Sequence, residues 1–269
     1  MTFKKFAFIV VIILLTLSFY ACNRDEYAEV ISESVSEPVL SSQDSASVVS
    51  SAVTASSSII STSSSAVSSR METPIDNGDW KLRLINKTNL LTQDITSELG
   101  NITSDTKVDA RCLPELKAMV AAAKKDGINF HFVSGYRTLN YQKNLFERNV
   151  NNAMKNEGLT RAKAEEIVSG YSAPPGTSEH CLGLAVDIVN AGWFEEYNNL
   201  NENFEKTDAF KWLFANSAEY GFVLRYPKDK VQITQINYEP WHYRYVGKDN
   251  ALLIKQKGYC LEEYVKLLS

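Results

Sequence analysis

Two of the three histidines in the chain lie in short segments that also contain a carboxylate. The segment "TSEHCLGLAVDIV" holds His180 and Asp187, and the segment "YEPWHYRYVG" holds Glu239 and His242. Imidazole nitrogens and carboxylate oxygens are common zinc ligands, and two histidines plus one carboxylate leave a fourth coordination position for water. These residue types are therefore compatible with an open catalytic zinc site.

The spacing indicates how these residues could meet. His180 lies in the turn-rich stretch "YSAPPGTSEHCLG", and Asp187 lies in the apolar run that follows, so a loop histidine and a strand aspartate can face one pocket. His242 could add a third ligand from a neighbouring strand, with Glu239 as the general base for a metal-bound water. Taken singly, each residue could equally be structural, and His131, which matches no motif, is predicted to be so. Spacing alone leaves both interpretations open.

Three segments resemble, in order, the motifs of the VanY-type D-alanyl-D-alanine carboxypeptidases: "SGYRTLNYQ", "TSEHCLGLAVDIV" and "EPWHYRYVG". The second contains the complete pattern S-x-H-x-x-G-x-A-x-D, and the third contains E-x-W-H. This family belongs to a wider group of zinc metallopeptidases that includes D-Ala-D-Ala dipeptidases and L,D-carboxypeptidases. The resemblance covers nearly all of residues 80–268 but not the N-terminal region.

The resemblance implies one Zn²⁺ per chain, bound by His180, Asp187 and His242. It also implies that Glu239 is the catalytic base. The implied partners are peptidoglycan stem peptides ending in D-Ala, from which the terminal residue would be removed.

The same resemblance implies roles for three further residues. Arg137 of "SGYR" would be catalytic and substrate-binding, because a planar guanidinium suits a substrate carboxylate or the oxyanion of a tetrahedral intermediate. Gln142 and Ser178 would bind substrate. Trp241 is expected to be a wall of the site or a core residue.

Two alternatives stay open on the sequence. An L,D-carboxypeptidase would remove D-Ala from a tetrapeptide, and Arg137 fits that substrate equally well. A non-catalytic wall-binding module that keeps zinc for structure would be expected to lack the base, so the presence of Glu239 argues against it.

The N-terminus predicts export. Lys4 and Lys5 precede an apolar run over residues 6–20, the pattern of a secretory signal. Ala21-Cys22 resembles the end of a bacterial lipoprotein signal, so Cys22 is the predicted lipidation site. An uncleaved membrane helix and plain secretion are the alternatives. In each case the protein is expected outside the cytoplasm of a bacterium, and the lipid anchor would hold it at the cell membrane.

The remaining chain divides into a linker and one domain. Residues 23–75 are rich in serine and poor in aromatic residues, which predicts a disordered linker after the signal peptide of residues 1–21. Residues 76–269 are predicted to form the carboxypeptidase domain. Its helical and alternating patterns predict an α+β fold, in which a small antiparallel sheet carries the zinc site and helices flank it.

Charge, cysteine content and the overall sequence add further expectations. The formal net charge is -4 and basic residues do not cluster, so no nucleic-acid partner is expected. We expect a monomer. A disulfide between Cys112 and Cys260 is the pairing to test, because exported proteins can form disulfides, and the thiol of Cys181 is expected to point away from the pocket.

Overall fold

The computed structural model describes residues 78–269. The predicted signal peptide, Cys22 and the serine-rich linker lie outside the described residues, as do the first two residues of the predicted domain. Among the helices of residues 78–269, none combines the length and hydropathy needed to cross a membrane.

Within residues 78–269, six strands form two sheets. A two-stranded antiparallel hairpin contains β1 and β2, and a four-stranded antiparallel sheet has the order β3-β4-β6-β5. The strands are β1 Leu99–Asn101, β2 Lys107–Asp109, β3 Phe130–Ser134, β4 Ala185–Asn190, β5 Phe222–Leu224 and β6 His242–Tyr245.

Eight α-helices of the described region surround these sheets. They are α1 Leu113–Lys125, α2 Leu139–Glu157, α3 Arg161–Val168, α4 Trp193–Glu196, α5 Asp208–Asn216, α6 Val231–Thr234, α7 Lys248–Lys257 and α8 Leu261–Leu268. Helices α2, α3 and α5 each begin after a threonine whose side chain accepts a backbone N–H of the first turn. Such caps satisfy N–H groups that have no partner inside the helix. The predicted α+β fold is confirmed.

The main core lies around the central strands. All residues of β4 except the last are buried, as expected for a valine- and isoleucine-containing strand covered on both faces. Helix α1 contributes Leu116 and Met119 to the same core, and β5 and β6 contribute Phe222 and Tyr243. The sheet therefore gives rigid support to any side chain that β4 and β6 present.

The register of the sheet places one carboxylate at its centre. Asp187 on β4 lies opposite His242 on β6 and opposite Ser134 on β3. A bulge between Phe132 and Ser134 shifts the register at the end of β3. Two of the predicted zinc ligands are therefore a cross-strand pair.

Some elements were not anticipated. The β1–β2 hairpin and the single-turn helices α4 and α6 had no prediction, because strands of three residues and helices of four carry too little periodicity to recognise. Cys112, Cys181 and Cys260 are free buried thiols in the structure, so Cys112 and Cys260 are not joined. Cys112 packs in the main core, whereas Cys260 caps helix α8 beside a separate apolar cluster. His131 is exposed on β3.

Candidate metal centre and substrate pocket

Three buried side chains converge where β4 meets β6. His180, Asp187 and His242 each offer one ligand atom, and these atoms lie within 4.8 Å of one another. Nε2 of His180 is 3.2 Å from Oδ2 of Asp187, and Nδ1 of His242 is 3.2 Å from Oδ1 of the same carboxylate. Asp187 thus lies between the two imidazoles.

A tight turn brings His180 to the sheet. Residues Glu179–Leu182 form a 3-10 turn that ends at Gly183, whose φ of 70° lies in the left-handed region. A Cβ added at Gly183 would come within 2.9 Å of the backbone nitrogen of Asp109 on β2. Glycine is therefore needed here for both the turn and the close approach to the hairpin.

The backbone carbonyl of Gly135 fixes the tautomer of His180. Nδ1 of His180 is 2.7 Å from this oxygen, and because a carbonyl only accepts, Nδ1 must carry the hydrogen. A Cβ at Gly135 would lie 2.2 Å from the carbonyl oxygen of Lys107, so only glycine allows this strand end to approach β2. The lone pair of His180 Nε2 is consequently directed at Asp187.

This arrangement fits a bound cation. A lone pair on Nε2 of His180 and the carboxylate of Asp187 face each other without a hydrogen between them, and electron-rich atoms held this way repel unless a cation lies between. Nε2 of His180 and Oδ1 of Asp187 also have no hydrogen-bond partner among the described residues. Two imidazoles and one carboxylate form a ligand set that zinc prefers, and the carbonyl contact to the distal nitrogen is the usual support of such a histidine.

Burial and mutual contacts shift the pKa values of these groups. Burial and the nearby Arg137 lower the pKa of His180 to about 4. Burial opposes ionisation of Asp187, but the two histidines lower its pKa below the ordinary value. Burial alone would lower the pKa of His242, but the carboxylates of Asp187 and Glu239, 3.2 and 3.4 Å from its Nδ1, raise it to about 9. Without metal, His180 is neutral and His242 holds the extra proton.

Glu239 lies beside the three candidate ligands but is not one of them. Its Oε2 is 3.4 Å from Nδ1 of His242, and its backbone carbonyl accepts the N–H of the same histidine. Burial raises the pKa of Glu239 above the ordinary value. A carboxylate with a raised pKa is better suited to take up a proton and return it near neutral pH.

A cavity of about 290 Å³ opens in front of these residues. It brings together every site residue singled out in the sequence: Arg137, Gln142, Ser178, His180, Asp187, Glu239 and His242. Nη2 of Arg137 is 3.8 Å from Oδ2 of Asp187, and its Nε is buried without a hydrogen-bond partner. Gln142 donates its Nε2 to the carbonyl of Ala173 at 2.7 Å, which leaves its buried Oε1 as an unpartnered acceptor.

Other walls of the pocket had no predicted role. Ser172 is buried, and its hydroxyl has no partner among the described residues. Asn149, Tyr171 and Tyr226 also line the cavity, and Trp241 is a wall as expected. Serine and asparagine are common in loops and on helix surfaces, so their residue type alone did not identify Ser172 and Asn149 as pocket residues. Cys181 does not line the cavity.

A second group of buried charges includes the residue next to His180 and is here called the glutamate–arginine cluster: Glu179, Arg225, Arg244 and Glu262. Oε1 of Glu179 accepts from Nε of Arg225 at 2.8 Å and from Nη1 of Arg244 at 2.7 Å. Arg225 also donates both Nη atoms to Glu262, at 2.8 and 2.7 Å. The sequence analysis did not identify this cluster, although Arg225 and Arg244 stand out as charged residues within apolar strand segments.

Comparisons with known proteins agree with this geometry. The sequence model of the VanY D-alanyl-D-alanine carboxypeptidases matches residues 105–248. A D-alanyl-D-alanine carboxypeptidase of Enterococcus faecalis is 40% identical over 190 residues, which is 71% of this chain and 67% of that protein.

Two solved structures are also similar. A mutant of the vancomycin resistance D,D-pentapeptidase VanY in complex with Zn(II) has a TM-score of 0.61 and 39% identity, covering 69% of this chain and 99% of its own. The L,D-carboxypeptidase LdcB has a TM-score of 0.56 and 33% identity, covering 71% of this chain and 88% of its own.

Proposed function

Since the chain belongs to the VanY family of zinc-dependent D-alanyl-D-alanine carboxypeptidases, we propose that it removes the terminal D-alanine from peptidoglycan stem peptides. The observation that carries this proposal is the convergence of His180, Asp187 and His242 with Glu239 and Arg137 in one pocket.

The residues that would hold the metal are His180, Asp187 and His242, through Nε2, the carboxylate and Nδ1. Bound zinc supplies Lewis-acid polarisation of a carbonyl and lowers the pKa of water to about 7. The chain itself supplies the orientation of these ligands: the carbonyl of Gly135 holds the tautomer of His180, and the strand register pairs Asp187 with His242.

Glu239 is the proposed proton carrier. Its carboxylate takes a proton from the attacking water and returns it to the nitrogen of the leaving D-alanine. The pKa of Glu239, raised by burial, favours both halves of this transfer. Because its Oε2 is 3.4 Å from Nδ1 of His242, it lies at the side of the ligand set where the transfer would occur.

Arg137, Gln142 and Ser178 are proposed to hold the substrate. Arg137 is the only arginine or lysine among the residues that line the described pocket, so we propose it as the partner for a terminal carboxylate. The fixed Oε1 of Gln142 can only accept and therefore suits an N–H of the substrate backbone. Ser178 is buried at the edge of the turn that carries His180.

The decisive experiment measures D-alanine release from two synthetic peptides by the zinc-loaded protein. One is a pentapeptide stem ending in D-Ala-D-Ala, and the other is the corresponding tetrapeptide. We expect faster release from the pentapeptide, in line with the D,D-activities of the E. faecalis relative and the VanY structure. Release from the tetrapeptide alone would establish the L,D-carboxypeptidase alternative. No release from either peptide by protein with full zinc occupancy would leave a wall-binding module.

A monomer at the outer face of the bacterial membrane, attached through a lipid on Cys22, is the location that we propose. It is supported by the signal-like residues 1–21 and by the wall substrate. Cys22→Ser should abolish lipid labelling and move the protein out of the membrane fraction. Protein that stays in the membrane after this change would instead favour an uncleaved helix.

A further inference from the structure

The glutamate–arginine cluster touches both chain segments that carry the zinc histidines. Glu179 directly precedes His180 and is completely buried. Its carboxylate oxygen Oε1 receives hydrogen bonds from two arginines at once, Arg225 and Arg244. Charge-assisted hydrogen bonds of this kind are short, strong and directional, so the side chain of Glu179 has little freedom to move.

Arg244 connects Glu179 to the strand of the other histidine. It lies two residues after His242 on β6, and residues two apart on a strand project to the same face. Its register partner on β4 is Ala185, whose methyl group leaves room for the long arginine side chain beside the ligands. The other nitrogen atoms of Arg244 donate to the backbone carbonyls of Lys81, Arg83 and Tyr245.

Arg225 makes a second connection between the same two segments. Its backbone N–H donates to the carbonyl of His242 at 3.1 Å, while its side chain donates to Glu179. One carboxylate next to the first histidine is therefore joined to the strand of the second by two separate routes. Glu262 on α8 accepts hydrogen bonds from the outer end of Arg225 and from Nδ2 of Asn86, and it makes none with either of the described histidine segments.

We propose that Glu179 is a positioning residue for zinc, which sets the distance between His180 and His242 through its hydrogen bonds to Arg225 and Arg244. A metal site needs its donors at fixed separations before the ion arrives, and groups that orient the ligands typically affect metal affinity about 10- to 100-fold. The inference concerns zinc binding and does not depend on which stem peptide is cleaved.

The test compares Glu179→Gln with the matched control Glu262→Gln. Both changes remove one negative charge from the same arginine, but only the first alters the link to the histidine segments. Zinc affinity is measured by chelator competition on folded protein, and Co²⁺ is substituted so that its visible spectrum reports the ligand geometry. Glu179→Gln should weaken zinc binding about 10- to 100-fold, as is typical for groups that orient metal ligands, and should alter the Co²⁺ spectrum. Glu262→Gln should lower thermal stability while zinc affinity and spectrum stay as in the wild type.

Several outcomes would overturn the proposal. A Glu179→Gln protein that is less stable but binds zinc with wild-type affinity would show a purely structural role. Equal loss of affinity in both variants would show a general effect of removing charge. If Glu179→Gln does not fold, Glu179→Asp is measured in its place. The shorter side chain of aspartate keeps the negative charge but cannot reach both arginines. Wild-type zinc affinity in Glu179→Asp would also reject the proposal. Failure of the wild type to bind zinc would instead contradict the proposed function.

Discussion

Two neighbouring groups of buried charge are built in opposite ways. In the glutamate–arginine cluster, two carboxylates face two guanidinium groups. Of the carboxylate oxygens, only Oε2 of Glu179 lacks a hydrogen-bond partner within residues 78–269. In the metal cluster of His180, Asp187, Glu239 and His242, lone pairs face each other and several polar atoms lack partners. Unsatisfied buried polar groups are costly. The first cluster is therefore arranged to hold the surrounding chain segments in place, whereas the second is arranged to receive a ligand.

The comparison also separates residues that look alike in sequence. Glu179 and Glu239 are both buried glutamates next to or near a histidine. The two arginines lower the pKa of Glu179 against the effect of burial, whereas burial raises that of Glu239. The first carboxylate is held ionised, and the second can exchange a proton. Local partners, and not residue type, decide between structural and chemical roles.

The largest expected effect comes from removing a ligand of the metal cluster. His180→Ala should abolish stoichiometric zinc binding and lower turnover by a factor on the order of 10⁴ or more, because metal activation and general base catalysis fail together. Metal analysis after dialysis and a D-alanine release assay check this outcome. His131→Ala, at the exposed histidine of β3, is the control and should leave both unchanged. Full zinc occupancy in His180→Ala would show that the ligand assignment is wrong.

The next largest effect distinguishes the role of the proposed base from that of the metal ligands. Glu239→Gln keeps size and shape but cannot take up a proton, so turnover should fall by about 10²- to 10⁴-fold. Zinc content should stay near that of the wild type, since the three ligands are untouched. Steady-state kinetics and metal analysis on one preparation test both points. Near-normal D-alanine release would mean that another group takes the proton.

Breaking the glutamate–arginine cluster should lower the free energy of unfolding. Arg225→Met leaves Glu179 and Glu262 without their shared partner, which costs about 3 to 5 kcal/mol of unfolding free energy for a buried pair. Urea unfolding at saturating zinc measures this loss of unfolding free energy. Arg161→Met, which removes an exposed arginine from its pairs with Glu147 and Glu165, should change stability little. Equal stability of the two variants would contradict the contrast between buried and exposed pairs.

The smallest effect is the pH dependence of zinc affinity. Despite burial, the carboxylates of Asp187 and Glu239 raise the pKa of His242 to about 9, whereas burial lowers that of His180 to about 4. Between about pH 5 and 9 zinc must therefore displace one proton, so the apparent affinity should rise about tenfold per pH unit and level off above that range. Chelator competition at several pH values measures the slope. A constant affinity between about pH 6 and 8 would show that His242 is neutral without metal.

Much of the site could be predicted because its residues lie in short, specific motifs. The helical and alternating patterns predicted helices around a small sheet, and the histidine segments placed Asp187 and His242 on strands. The β1–β2 hairpin could not be predicted, since its strands are too short for a pattern. Yet this hairpin contacts Gly135 and Gly183 and so supports the position of His180.

The glutamate–arginine cluster was missed for a different reason. Glu179 and Arg244 are distant in sequence, and no local pattern reports which charges will pair once the sheet has formed. The available signal was weaker: an arginine in each of the apolar segments "FVLRY" and "HYRYV" suggests a buried partner, because arginine is almost never fully buried unless paired. That signal predicts the existence of a partner but not its identity.

The pairing of Asp187 with His242 across β4 and β6 also has a kinetic consequence. His180 and Asp187 are joined by a short turn, whereas His242 follows much later in the chain, and a long loop must close before the strands can pair. Contacts between distant residues form slowly during folding. The complete set of ligands therefore exists only after β6 has joined the sheet. Zinc that requires all three ligands would therefore bind after the sheet has formed and stabilise the folded molecule.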